Sequence, residues 1–122
     1  MRIFKSKWFV RFARKNGLDD AALRAAAEEI EAGNFDADLG GRVYKQRIAR
    51  GGQGKRGGYR TIVLFKRGER AFFMYGFAKN KRDTITNDEV DFYKAFAKKW
   101  LAYSEAEIKA AVEAGAFLEV EE

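Results

Sequence analysis

The chain has 122 residues, 47% hydrophobic and 15% aromatic, enough for one ordinary core and too few for two, so one domain over residues 1–122 is expected. It contains neither cysteine nor histidine, which excludes disulfides, thiolate nucleophiles, zinc sites of the usual kind, Ser-His-Asp triads and the histidine pair of familiar ribonucleases. The net charge is +6, but residues 42 to 82 hold thirteen Lys and Arg against one acid, Glu69, so that segment carries +12 and the remainder −6.

In chain order, Arg2 to Lys5 reads as a short strand and Lys7 to Lys15 as a helix with Trp8, Phe9 and Phe12 on its apolar side, ended by Gly17. Asp19 is the N-cap of a second helix rich in strong helix formers. Its buried stripe is Leu23, Ala26, Ala27 and Ile30, and Gly33 stands where a left-handed residue is wanted. From Arg42 the texture changes to β-branched and aromatic residues, predicting strands at 42–49, 59–67 and 70–79. The last two form a hairpin with Gly68 in its turn, and RGGQGKRGG from Arg50 to Gly58 is expected to be a mobile cationic loop. Thr86 with Glu89, and Ser104 with Glu107, are capping-box pairs that open two further helices, the last ending near Gly115. The third helix presents Val90, Phe92, Tyr93, Phe96, Ala97, Trp100 and Leu101 as a wide apolar face for covering the sheet. The order β-α-α-β-β-β-α-α implies an α+β fold on a small, mostly antiparallel sheet with two N-terminal helices and C-terminal helices packed on it. Apolar runs are far below the ~20 residues that cross a bilayer, and the N-terminus lacks a signal-peptide pattern, so a cytoplasmic protein with no membrane partner is expected.

Alternation along the strand at 42–49 places Val43, Lys45 and Arg47 on one face and Tyr44, Gln46 and Ile48 on the other. Arg60 on the next strand, with Lys79, Lys81 and Arg82 after the third, converges with them at one edge if the hairpin forms. Such a cluster suits phosphate chemistry. Cutting RNA without a metal requires a group that takes the 2′-hydroxyl proton, a donor for the 5′-oxygen and cations for the crowded phosphorane. Packing a lysine among other cations disfavours its charged form, one route to a basic amine. By charge alone the same cations describe a non-catalytic RNA-binding module better than a catalyst, each Lys or Arg then acting through counterion release. Phe73 and Phe77 read as core rather than as a stacking platform. The acids Glu28, Glu29, Asp88 and Asp91 read as caps or solvated faces without a catalytic role.

RVYKQRIA, then GGYRTIVLF, then FFMYGFAKNKRDTI resemble in order the sheet region of RelE/HigB-like toxins, in the branch with a long glycine-rich loop and a KNxRD segment. The resemblance spans nearly the whole chain. It implies a RelE-like fold and the toxin of a toxin–antitoxin pair, a metal-independent messenger RNA endoribonuclease that needs no cofactor and acts on the translating ribosome. It also implies inhibition by a cognate antitoxin, in this branch often a helix-turn-helix protein. By the same resemblance the catalytic set is Lys45, Arg47 and Arg60 with Lys79 or Arg82; the further cations of the basic segment, Arg50, Lys55, Arg56 and Lys81, are expected to bind RNA through their charge. The late tyrosine or histidine of better-known members has no clear counterpart, and Tyr93 lies in an apolar stripe. The alternative within the superfamily is a ParE-like gyrase poison, against which Lys45, Arg47 and Arg60 argue.

Overall fold

Six of the helix starts and stops are written in local chemistry, and the backbone follows them. In the computed structural model, which describes residues 1–50, 54–78 and 85–121 (side chains of 50 and 54–57 excepted), Ser6 caps the helix α1 (Lys7–Asn16) by accepting from Phe9 N–H. Gly17 ends it at φ +66°. Asp19 caps α2 (Asp20–Glu31), and Gly33 follows at φ +88°. Both capping boxes form, opening α3 (Asn87–Trp100) and α4 (Glu105–Glu113). Each cap satisfies backbone donors that would otherwise be orphaned, a contribution of about 1 kcal/mol apiece.

The strands are β1 (Arg2–Ser6), β2 (Ala37–Asp38), β3 (Val43–Arg50), β4 (Gly54–Lys66), β5 (Arg70–Ala78) and β6 (Phe117–Glu119). They form one sheet in the order β2-β3-β4-β5-β1-β6, antiparallel throughout except for the central β5 and β1. The α+β class and mostly antiparallel sheet follow the expectation. Two strands do not appear in the sequence reading: β2, only two residues long, and β6, in the tail FLEVEE, which pairs with β1.

The expected loop from Arg50 to Gly58 is corrected. Arg50 belongs to β3, Gly54 to Gly58 belong to β4, and Arg50 pairs with Gly54 beyond a register shift after Ile48. The neighbouring strand supplies ladder hydrogen bonds whatever the side chain, so pairing overrides the low strand preference of glycine. Residues 51–53 lie outside the described residues, as does the mobility expected of the loop.

The sheet separates two apolar layers. On one face α1 and α2 deliver Phe9, Ala13, Leu23, Ala26, Ala27 and Ile30 against Ile48, Tyr59, Val63 and Phe73. On the other α3 and α4 deliver Ala97, Leu101 and Ile108 against Val43, Ile62, Leu64 and Phe72. The wide apolar face expected of α3 is narrower than its pattern: Val90, Ala97 and Leu101 are buried, whereas Phe92 is 58% exposed. One close approach fixes α1. A Cβ on Gly76 would overlap the Phe12 ring, so β5 carries glycine where the helix presses on it.

Arg70 shows that the basic segment does not gather at one place. It is buried, donates to the carbonyls of Trp100 and Tyr103 and pairs with Glu105, so it ties the start of β5 to the corner between α3 and α4. Cations at a helix C-terminus are favoured by its dipole. Among the described residues no helix is long and apolar enough to cross a membrane.

Beside Arg70, toward the β6 edge of the sheet, Arg2 holds Glu119 of β6 through two hydrogen bonds of 2.9 Å. Those bonds hold the Glu119 carboxyl below its ordinary value of 4.5, against a smaller upward push from burial. A depressed carboxyl contributes stability that is present above its unfolded value and lost as pH falls through the folded one. The pair is partly exposed, so Glu119→Gln is expected to cost only about 0.2–1 kcal/mol at pH 7. The cost should shrink steadily below pH 4.5. Urea midpoints for both chains at pH 7 and pH 3 check this, and a difference that grows in acid would contradict it.

A cationic cluster around Asp36

Antiparallel register lines up side chains in rows across the face that α3 and α4 cover. Val43 stands beside Leu64 and Phe72, Lys45 beside Ile62 and Tyr75, and Arg47 beside Arg60 and Phe77. The first row is core. The second and third climb away from it, so the alternation that buries Val43 also places Lys45 and Arg47 on the same side as Arg60.

Arg47 opposite Arg60 is a like-charge cross-strand pair, which is destabilising by itself. Asp36 offsets it. Its carboxylate lies 3.0 Å from Arg47 Nε, 3.4 Å from Arg60 Nε and 3.5 Å from Lys45 Nζ, so one anion bridges the three cations. Asp36 is placed by its backbone, whose N–H donates to Lys45 O at 3.1 Å immediately before β2 joins the sheet. Gln46, pointing the other way, reinforces that placement. Its amide donates to Asn34 O at 2.9 Å and its Oε1 accepts from Arg47 N–H at 3.0 Å, locking the chain after α2 to β3.

The cluster grades from buried to open. Arg60 has only 5% of its side chain exposed, Lys45 20% and Arg47 43%, so an incoming anion meets Arg47 first and Arg60 last. Arg60 Nη1 is buried and has no hydrogen-bond partner among the described residues. A buried unpaired donor costs about 1–3 kcal/mol, more on a charged group, and native proteins keep few of them. Three cations and one carboxylate leave a formal +2, which suits an entering phosphodiester and, better, the doubly charged phosphorane.

The structure thus brings Lys45, Arg47 and Arg60 together, as their strand positions require. Lys79, Lys81 and Arg82 lie outside the described residues, and so do the side chains of Arg50, Lys55 and Arg56, whose backbones belong to β3 and β4. Phe73 and Phe77 are buried, and Tyr93 is half-buried against the α3 layer, its ring 6.4 Å from that of Tyr75. Asp36 is the residue that sequence reasoning missed. The only local sign was an acidic DAD segment running into Gly40 and Gly41 just ahead of the basic stretch.

No curated protein matches the chain. The family model described as the RelE toxin of the RelE/RelB toxin–antitoxin system matches residues 1–120, in agreement with the α+β architecture. The chain therefore belongs to the RelE toxin family and is the toxin of a toxin–antitoxin system, with an antitoxin as its partner.

Proposed function

We propose that this toxin is a single-domain, metal-independent endoribonuclease that cuts messenger RNA on the translating ribosome in the cytoplasm and is held inactive by a helix-turn-helix antitoxin. Toxins of the RelE family are in general nucleases of messenger RNA, which supports the reading. The observation that carries it is the convergence of Lys45, Arg47 and Arg60 on one carboxylate, with Arg60 Nη1 left as a buried, unused donor.

In this reading the scissile phosphate replaces Asp36 as the counter-ion of Arg47 and takes up the free donor of Arg60. Lys45, having first given its own proton to solvent, accepts the 2′-hydroxyl proton as that oxygen attacks phosphorus, and the P–O5′ bond breaks with the 5′-oxygen taking a proton from water. The guanidinium of Arg60, fixed from below by Asp36, stabilises charge as it develops, which is where preorganised donors lower a barrier most. Lys79 or Arg82 serves the transition state or the leaving group, and Arg50, Lys55, Arg56 and Lys81 hold RNA outside the cut.

Induced expression of the wild type and of Lys45→Ala, with growth followed and the 5′ ends of cellular messenger RNA mapped, tests the reading. Growth arrest with new 5′ ends in the wild type and neither in the variant is expected. Arrest with intact messenger RNA would overturn the nuclease reading and favour a gyrase target.

A further inference from the structure

A second cationic surface lies on the same side of the sheet, at the other end of β3. A groove of about 420 Å³ runs between the start of β3 and the outer half of α3, walled by Arg42 and Lys66 on one side and by Lys94 and Lys98 on the other. Lys94 and Lys98 are one helical turn apart and so project together. Among the described residues Arg42, Lys94 and Lys98 have no acidic partner, and Lys66 has Glu69 at 3.1 Å. This concentration of uncompensated charge differs from the Asp36 cluster, where an acid is built in.

The groove is also built, not merely exposed. Gly40, Gly41 and Arg42 are three consecutive residues at positive φ, +86°, +58° and +66°. For an arginine that conformation is strained, and strained residues persist where the surroundings over-determine them. The turn presses on the stem of Lys94: a Cβ on Gly41 would lie 2.7 Å from Lys94 Cγ. Lys94 is thereby held in the wall, with less side-chain entropy left to lose on binding.

We propose that this groove grips the sugar–phosphate backbone of RNA, away from the scissile phosphate and without reading its bases. Its floor is Gly41, Ala97, Leu101 and Ala102, which offers no aromatic ring for stacking, and its walls offer only cations. Such a surface positions a polyanion and carries no sequence information. The inference rests on the nuclease reading for the identity of the polyanion. Arg42 and Arg47 are five residues apart, about 17 Å along a strand. That span corresponds to roughly five nucleotides at the ~3.4 Å rise of a stacked strand. The RNA in the groove is either a continuation of the strand being cut or a separate folded RNA beside it.

The test uses uncleavable 2′-O-methyl oligomers and fluorescence anisotropy over a salt series, comparing the wild type with Lys94→Gln/Lys98→Gln. Both substitutions keep Cβ and Cγ, so the turn at Gly41 retains its nearest contact, and neither residue belongs to the Asp36 cluster. The probes are a 4-mer, too short to reach both places, a single-stranded 20-mer, and a 12-base-pair duplex added with the 4-mer saturating. Loss of two phosphate contacts should lower the log–log salt slope for the 20-mer by about 1.4, while 4-mer binding is unchanged. A slope change confined to the duplex assigns the groove to a second, folded RNA and supports the proposal equally. Unchanged slopes with both long probes overturn it, and so does a variant that loses only the binding of poly-glutamate, which would make the groove a seat for an acidic peptide. If the wild type fails to bind even the 4-mer, the nuclease reading falls with it. A bound 4-mer with unchanged long-probe slopes removes the groove proposal alone.

Discussion

Arg60→Lys is expected to cut the rate of RNA cleavage by about 10²–10³-fold, the loss typical of removing one preorganised donor from a developing oxyanion, while leaving the fold in place. The reasoning is geometric. Arg60 has 5% of its side chain exposed, turns Nε toward Asp36 at 3.4 Å and leaves Nη1 buried and, among the described residues, unpaired. A guanidinium reaches an internal carboxylate and an external phosphate at once because its donors diverge from a rigid plane. A lysine ammonium is a single point on a flexible stem and makes one of those contacts at the expense of the other. Charge and most of the buried stem are retained, so the melting temperature should change little. Cleavage of a defined messenger RNA in a translation extract, compared with the melting curve of each protein, separates the two effects. If the lysine variant cut at the wild-type rate, charge alone would suffice at this position and the buried donor would have no catalytic part. The arrest of growth should weaken in parallel with cleavage.

The parts of the fold that were legible in the sequence are those set by neighbours along the chain. Ser104 with Glu107, Thr86 with Glu89, Asp19 and Gly17 each act within one helical turn, and all four appear as helix ends. Alternation in VYKQRI gave the faces of β3 correctly, because burial of Val43 on one side and Ile48 on the other leaves no other register. What was not legible depends on residues far apart. Nothing near Asp36 announces that it will meet Arg60; the contact exists because β3 pairs with β4 and Gln46 pins the chain after α2 against β3. β6 is a strand only because β1 offers it an edge, and its tail sequence is as acidic as any solvated end. The basic segment misled in one respect. Counted along the chain its charge is a single block, but Arg70 turns to the carbonyls of Trp100 and Tyr103 at the corner between α3 and α4 and Arg67 to that of Glu31 at the end of α2, while Lys45, Arg47 and Arg60 gather elsewhere.

Asp36→Asn should separate holding the cations from binding the RNA, because the carboxylate acts through Lys45, Arg47 and Arg60 and is a positioning residue in the proposed reaction. The amide is close to the same size and removes one negative charge, so the cluster goes from a formal +2 to +3 and the opposed pair Arg47 and Arg60 loses its bridge. Removing one partner of a buried ion pair costs about 3–5 kcal/mol, and with Asp36 itself 13% exposed the lower end is expected. Stability should therefore fall by about 3 kcal/mol, read from urea midpoints, and added inorganic phosphate should restore more of it in the variant than in the wild type by occupying the vacated position. RNA binding should move the other way. One repelling charge is gone, so an uncleavable 20-mer should bind more tightly, with a salt slope steeper by about 0.7. Cleavage should nevertheless slow, because guanidiniums free to follow the substrate no longer wait in the geometry of the transition state. A lower KM together with a lower kcat is the signature, and a purely structural role would not produce it: partial unfolding lowers the active fraction and leaves KM alone. Asp36→Glu, which keeps the charge on a stem one methylene longer, should recover stability more fully than kcat. Should Asp36→Asn instead leave kcat intact while only the melting temperature drops, Asp36 would be a neutralising residue of the fold with no part in placing Arg60 for the reaction.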